Sequence, residues 1–405
     1  MKIGIVTTWF ERGAAYVSRQ FMDVLKHTDE VFIYARGGEK LAKGDPIWDL
    51  PCVYWGKRLP LSAQYCYAGG TYIDRKDFEK WINKNKIELL LFNEQQWFSP
   101  VLWAKELGIK TAAYIDYYTE ELIPLYDIYD CLICNTKRHA FAFREHKNII
   151  YIKWGTNVDL YKPSTIENEK VTFFHSAGMA PQRKGTDLVL KAFYLMPSRK
   201  NSKLLLHTQV PILKHYPLLS NMIKEMKNEG TIEIVEGTIT APGLYHMADV
   251  YVYPSRLDGI GLTLMEAISS GLACITSDNA PMNEFIEDDF GMLTPIDYFY
   301  SRKDGYYWPM CVCNVESLSS QMETLVREKN RLTQMKHNAR IYAIKELDFF
   351  KNCNNLHEYL SKVTFNDNYV SVGKKILERD SESLVLIKKI RIFLIKIKHI
   401  FDKDK

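Results

Sequence analysis

The sequence has no stretch approaching the roughly 18 uninterrupted apolar residues that a membrane span requires, which excludes a bundle of transmembrane helices. At the N-terminus, MKIGIVTTWFERG breaks a short apolar run at Thr7 and Thr8 and offers no small-residue cleavage site, so no signal peptide is expected and the chain is placed in the cytoplasm. The eight cysteines, at 52, 66, 131, 134, 274, 311, 313 and 353, have no framework spacing, which argues for reduced thiols rather than disulfides. Charge of one sign is lacking too. Ten Lys or Arg and six Asp or Glu lie from Asn366 onward, leaving 43 of each sign in residues 1–365, so no basic footprint for nucleic acid spans a domain. No Asp-x-Asp follows a strand, Glu287–Asp289 reads as solvated loop charge, and no solenoid repeat is visible.

What is present is an ordinary globular composition, 46% apolar and 25% charged, over 405 residues, a length that favours two domains. Short aliphatic runs alternate with helical patterns: KIGIVTT, EVFIYA, IELLLFN, KTAAYIDYY and DCLICNT, then KVTFFHSAG, KLLLHTQ, TIEIVEG, ADVYVYPS and LACITS. That rhythm predicts βαβ units and parallel sheets. WGTNVDLYKP (Trp154–Pro163) separates the two series, giving an N-terminal α/β domain over 1–155, a second over 156–345, a helical return over 346–365 and a tail over 366–405. Cys131 and Cys134 form a CxxC that reads either as a metal or redox pair or, given its apolar surroundings, as part of a buried strand.

In the tail, Leu384, Ile387, Ile390, Leu394, Ile397 and Phe401 fall on one helical face, and Lys388, Lys389, Arg391, Lys396 and Lys398 on the other. A basic amphipathic helix over 384–401 fits an anionic membrane surface; the alternative is packing on protein.

In open parallel sheets, ligands bind at the carboxyl ends of the strands. RLDGIG lies between the strand DVYVYPS and the helix LTLMEAISSG. There Gly259 and Gly261 let the amides of Gly261, Leu262 and Thr263 point at an anion on a helix N-terminus. Glu266, one turn in, can accept two hydrogen bonds from vicinal hydroxyls, and Asp258 precedes the loop. Upstream, HSAGMAPQRKGTDLVLKAF places Arg183 and Lys184 before a helix, where they can reach a diphosphate. His175 and His207 end apparent strands and read either as packing or as nucleotide neighbours.

Taken together, AGMAPQRKGTDLVLKAF, MADVYVYPSRLDGIGLTLMEAISSGLACITSD and the WGTNVDLYKP linker resemble glycosyltransferase family 4, the retaining nucleotide-sugar enzymes. The resemblance spans about Trp154 to Pro295 and implies a GT-B architecture, two facing Rossmann-like parallel-sheet domains, here followed by an amphipathic helical tail. It implies that Lys184, with Arg183, binds the donor diphosphate, that Gly261, Leu262 and Thr263 hold its distal phosphate, that Glu266 grips the ribose and that Asp258 contacts the donor sugar. Asp258 stands where the family has a glutamate, and Met179 where it often has an arginine. In the first domain the resemblance implies that Gly13 lies near the donor phosphates, with Arg12 beside it. Asp116 stands where many relatives carry a histidine that contacts the transferred sugar.

The implied reaction is retaining transfer to a glycan or lipid-linked glycan, with a nucleotide-diphosphate sugar as donor, no metal or other cofactor, and no nucleic-acid partner. The leaving diphosphate helps take the acceptor's proton. Two further readings stay open, a sugar-nucleotide epimerase of the same architecture and a non-catalytic nucleotide-sugar or glycan-binding assembly partner.

Overall fold

The structure, a computed structural model, describes residues 1–58, 71–380 and Ile390. The chain forms two compact units. One contains residues 1–135, 139–152 and 353 onward; the other contains 136–138 and 153–352.

The first unit is built on a seven-stranded parallel sheet of β1 (Lys2–Thr7), β2 (Glu30–Ala35), β3 (Val53–Trp55), β4 (Leu89–Asn93), β5 (Lys110–Ile115), β6 (Cys131–Cys134) and β7 (Ile149–Tyr151), in the order β3-β2-β1-β4-β5-β6-β7. Its central strands are mostly apolar, as expected for a parallel sheet buried on both faces; LLLFN of β4 and CLIC of β6 are buried at every position. The CxxC is therefore strand, and burial pushes both thiols up to about 12. β3 and β7 are too short and too exposed to stand out in the sequence.

The second unit repeats the plan with six parallel strands, β8 (Val171–Gly178), β9 (Ser202–Thr208), β10 (Ile232–Glu236), β11 (Val250–Tyr253), β12 (Ala273–Ser277) and β13 (Gly291–Thr294), in the order β10-β9-β8-β11-β12-β13. Phe173, Leu204, Val250 and Ile275 meet Leu188, Phe193, Leu318 and Met322 in its core. An antiparallel hairpin of β14 (Ile296–Tyr300) and β15 (Met310–Cys313) follows. In each sheet the strand order reverses beside the first strand, between β1 and β4 and between β8 and β11. These are the points where a doubly wound sheet opens a crevice.

Where the chain enters the second unit it pairs with the segment by which it leaves. The Thr156 amide donates to the Leu347 carbonyl at 2.8 Å and the Phe349 amide to the Thr156 carbonyl at 3.1 Å, while the rings of Trp154 and Phe349 lie 4.8 Å apart.

The first part of the tail is helical over Tyr369–Asp380 and packs on the first unit. Asp380 accepts from the amides of Phe98 (2.8 Å) and Ser99 (3.0 Å), capping the helix Ser99–Glu106, and the Phe365 ring covers Lys105, which forms a fully buried pair with Asp130. The helix proposed over 384–401 lies, apart from Ile390, outside the described residues. Among the described residues no helix is long and apolar enough to cross a membrane.

Candidate active site

The site residues of the second unit arise from the two loops that flank its crevice. One runs from the end of β8 to the helix Thr186–Leu195, the other from the end of β11 to the helix Leu262–Ser269. Each helix begins behind a glycine in the left-handed region, Gly185 at φ 74° and Gly261 at φ 80°. The two glycines serve different ends. A Cβ on Gly185 would lie 2.1 Å from the Pro254 carbonyl oxygen, so the absence of a side chain there lets the loops touch. A Cβ on Gly261 would meet nothing closer than 4.0 Å, so there it is the turn alone that requires glycine, and the first amides of the following helix stay approachable.

The loops are welded together. The Arg256 amide donates to the Arg183 carbonyl at 2.8 Å, and the buried Arg256 guanidinium bonds Asp187 in bidentate fashion, both contacts at 2.7 Å. Sequence reasoning passed over Arg256, because an arginine beside Asp258 in a polar loop looks like surface charge until the fold brings Asp187 to it.

Held this way, Arg183, Lys184 and Asp258 converge. Lys184 Nζ lies 2.6 Å from Asp258 Oδ2, and Arg183 Nη1 lies 3.2 Å from Oδ1 and donates to the Leu257 carbonyl at 2.9 Å. The Tyr253 hydroxyl bonds both Lys184 and Asp258. Burial works to raise the Asp258 pKa, but Lys184 and Arg183 outweigh it and hold the carboxyl below the usual carboxylate range. For Lys184, burial and the Arg183 cation together outweigh Asp258 and draw the ammonium below its ordinary value.

Glu266 sits one turn into its helix, and burial raises its carboxyl pKa against the opposing bonds from tyrosines. Tyr245 donates to its Oε2 at 2.6 Å, and Tyr161 adds a second hydroxyl. Neither tyrosine carried a signal in the sequence, since both reach Glu266 from distant segments. His175 is fully buried, with Nδ1 2.8 Å from the Val252 carbonyl and Nε2 2.8 Å from Thr186 Oγ1. Burial pulls its pKa to about 4, so it is a neutral packing residue: Nδ1–H donates to the carbonyl and Nε2 accepts from the threonine. His207 bonds Ser176 and the Gly237 carbonyl.

Gly13 and Asp116 belong to the first unit, each at the carboxyl end of its sheet. Gly13 opens the helix Gly13–Leu25, and a Cβ there would meet nothing within 4 Å. Arg12, the N-cap, pairs with Glu39 at 3.3 Å and Glu94 at 3.2 Å. Asp116 follows β5 half-buried; its charge, after burial itself, helps push up the phenols of Tyr114 and Tyr126. Glu287–Asp289 is exposed, as its reading as loop charge requires, and among the described residues no three His, Cys, Asp or Glu side chains gather where they could hold a metal ion.

The fold that carries these residues has counterparts among solved structures. Anabaena HepE in complex with UDP is 15% identical over 89% of this chain and 99% of that one, with a TM-score of 0.70. Sucrose-phosphate synthase from Thermosynechococcus elongatus is 15% identical over 90% of this chain and 100% of its own, TM-score 0.69. The pneumococcal O-GlcNAc transferase GtfA, solved with UDP and GlcNAc, is 14% identical over 90% and 99%, TM-score 0.66. The fold is GT-B. Residues 157–342 match the family model described as glycosyl transferases group 1, a span that contains every second-unit site residue described above. No curated protein matches in sequence.

Proposed function

We propose that the chain is a retaining glycosyltransferase of family 4 that moves a sugar from a nucleoside-diphosphate donor to a glycan or lipid-linked glycan acceptor, in cell-envelope polysaccharide assembly. The observation that carries this reading is the convergence of Lys184, Arg183 and Asp258 beside the glycine-started helix that bears Glu266, all at the crevice of the second sheet. Lys184, Arg183 and the 261–263 amides hold the diphosphate and stabilise the charge that grows on it as the glycosidic bond breaks. The departing phosphate oxygen takes the acceptor's proton on the same face. Glu266 accepts from the ribose hydroxyls, Asp258 from the donor sugar, and Asp116 serves the transferred sugar in place of the histidine of relatives, with Gly13 on the phosphate side. The positive charge for this reaction comes from side chains and amides, and we propose that it runs without a metal.

The reading is tested by thermal stabilisation with UDP-, GDP-, ADP- and CDP-sugars on wild type and Glu266→Ala, since a ligand of the folded state raises the melting temperature. A shift with one nucleotide family that is lost in the variant supports it; no shift with any of them overturns it.

We also propose that the chain sits peripherally on the inner face of the membrane through residues 384–401. Because the helix Tyr369–Asp380 packs on the first unit, the informative truncation ends after Asp380. Binding to anionic vesicles should be lost in the truncated chain, and retained binding would refute the anchor.

A further inference from the structure

We infer that Asp258 is an internal counter-anion that makes the site prefer an intact nucleotide sugar over the bare nucleoside diphosphate; this rests on the donor-site reading above. Its two carboxylate oxygens each hold one of the cations that would bind a diphosphate, Oδ2 on Lys184 at 2.6 Å and Oδ1 on Arg183 at 3.2 Å. The Lys184 and Asp258 side chains are only 13% and 12% exposed, so water screens little of their pairing, while Arg183, at 33%, is more open.

A diphosphate that takes the same cations must therefore share them with a carboxylate, and like charges at that separation repel. The two ligands differ in how they meet this cost. A bare nucleoside diphosphate ends in a phosphate that carries one more ionisable oxygen and has no hydroxyl to donate. In a nucleotide sugar the distal phosphate is a diester with one charge fewer, and the attached sugar brings hydroxyls for which Asp258 is an acceptor. The sugar thus restores to Asp258 the partners that the phosphates draw away. Once the sugar has been transferred, the remaining diphosphate faces the carboxylate unaided, which favours its release.

The experiment is titration of wild type, Asp258→Asn and Asp258→Ala with inorganic pyrophosphate, with UDP, GDP, ADP and CDP, and with the corresponding glucose and N-acetylglucosamine nucleotides, the fold of each variant being checked by circular dichroism. Both variants should bind pyrophosphate and the preferred diphosphate at least about tenfold more tightly than wild type, with no gain for the nucleotide sugar. Unchanged or weaker diphosphate binding in a folded variant overturns the inference and leaves the donor site standing. Absence of any binding to the wild type overturns both.

Discussion

Arg256 grips Asp187 through its two terminal guanidinium nitrogens, Nη1 and Nη2, both at 2.7 Å, and by this contact the loop after β11 is fixed to the first turn of the helix after β8. Bidentate geometry is particular to arginine. Arg256→Lys should lose about 2 kcal/mol and Arg256→Ala about 3 kcal/mol, since removing one partner strands a buried charge. Urea unfolding reads both values. Donor affinity should fall in the same order, because Arg183 and Lys184 are carried on the loop that loses its tether.

The two glycines that start the site helices should separate stability from binding. Gly261→Ala pays only for a left-handed alanine, about 1 kcal/mol, and should weaken diphosphate binding by placing a methyl beside the helix amides. Gly185→Ala adds a clash with Pro254 and should cost about 2–4 kcal/mol. Melting curves and diphosphate titration on the two variants check this; equal stability losses would contradict the roles given to them.

Glu266 should discriminate ribose from deoxyribose. Glu266→Ala is expected to lose about 1.5–3 kcal/mol of donor affinity and, with it, most of the preference over 2′- and 3′-deoxy analogues of the nucleotide. Titration of wild type and variant with these analogues measures the preference directly.

His175 predicts an acid limit to stability. Its folded pKa is depressed from 6.5 to about 4, so the unfolded chain binds a proton that the folded chain refuses. The resulting stability is complete above about pH 6.5 and drains as the pH falls toward 4, by up to about 1.4 kcal/mol per pH unit. Urea midpoints at pH 7, 6 and 5 should show a flatter slope in His175→Gln than in wild type, whatever the absolute stability of the variant.

The parts legible in the sequence are those whose signals are local. Central strands such as LLLF and VYVY are continuous apolar runs, and the glycines at 185 and 261 mark sharp turns directly before helices. What stayed hidden depends on contacts between distant segments: Arg256 with Asp187, Tyr245 and Tyr161 on Glu266, Tyr253 on Lys184. The sequence treats the tail from Asn366 as separate, yet its first helix is tied to the first unit through Asp380, a contact without any local signature. The β14–β15 hairpin closes through the nine-residue connection 301–309 rather than through a two-residue turn, so it lacks the short turn signal that marks a tight hairpin.

The pairing of Thr156 with Leu347 and Phe349, closed by the Asn352 side chain donating to the Lys153 carbonyl at 3.0 Å, brings the two ends of residues 153–352 side by side. In the gene, the second unit, apart from residues 136–138, is therefore nested within the first as the single stretch 153–352. It can be excised and expressed as one reading frame, or its ends joined by a short linker and new termini opened at the exposed Asp288 loop, whereas the surrounding half can be made alone only by splicing residue 152 to 353.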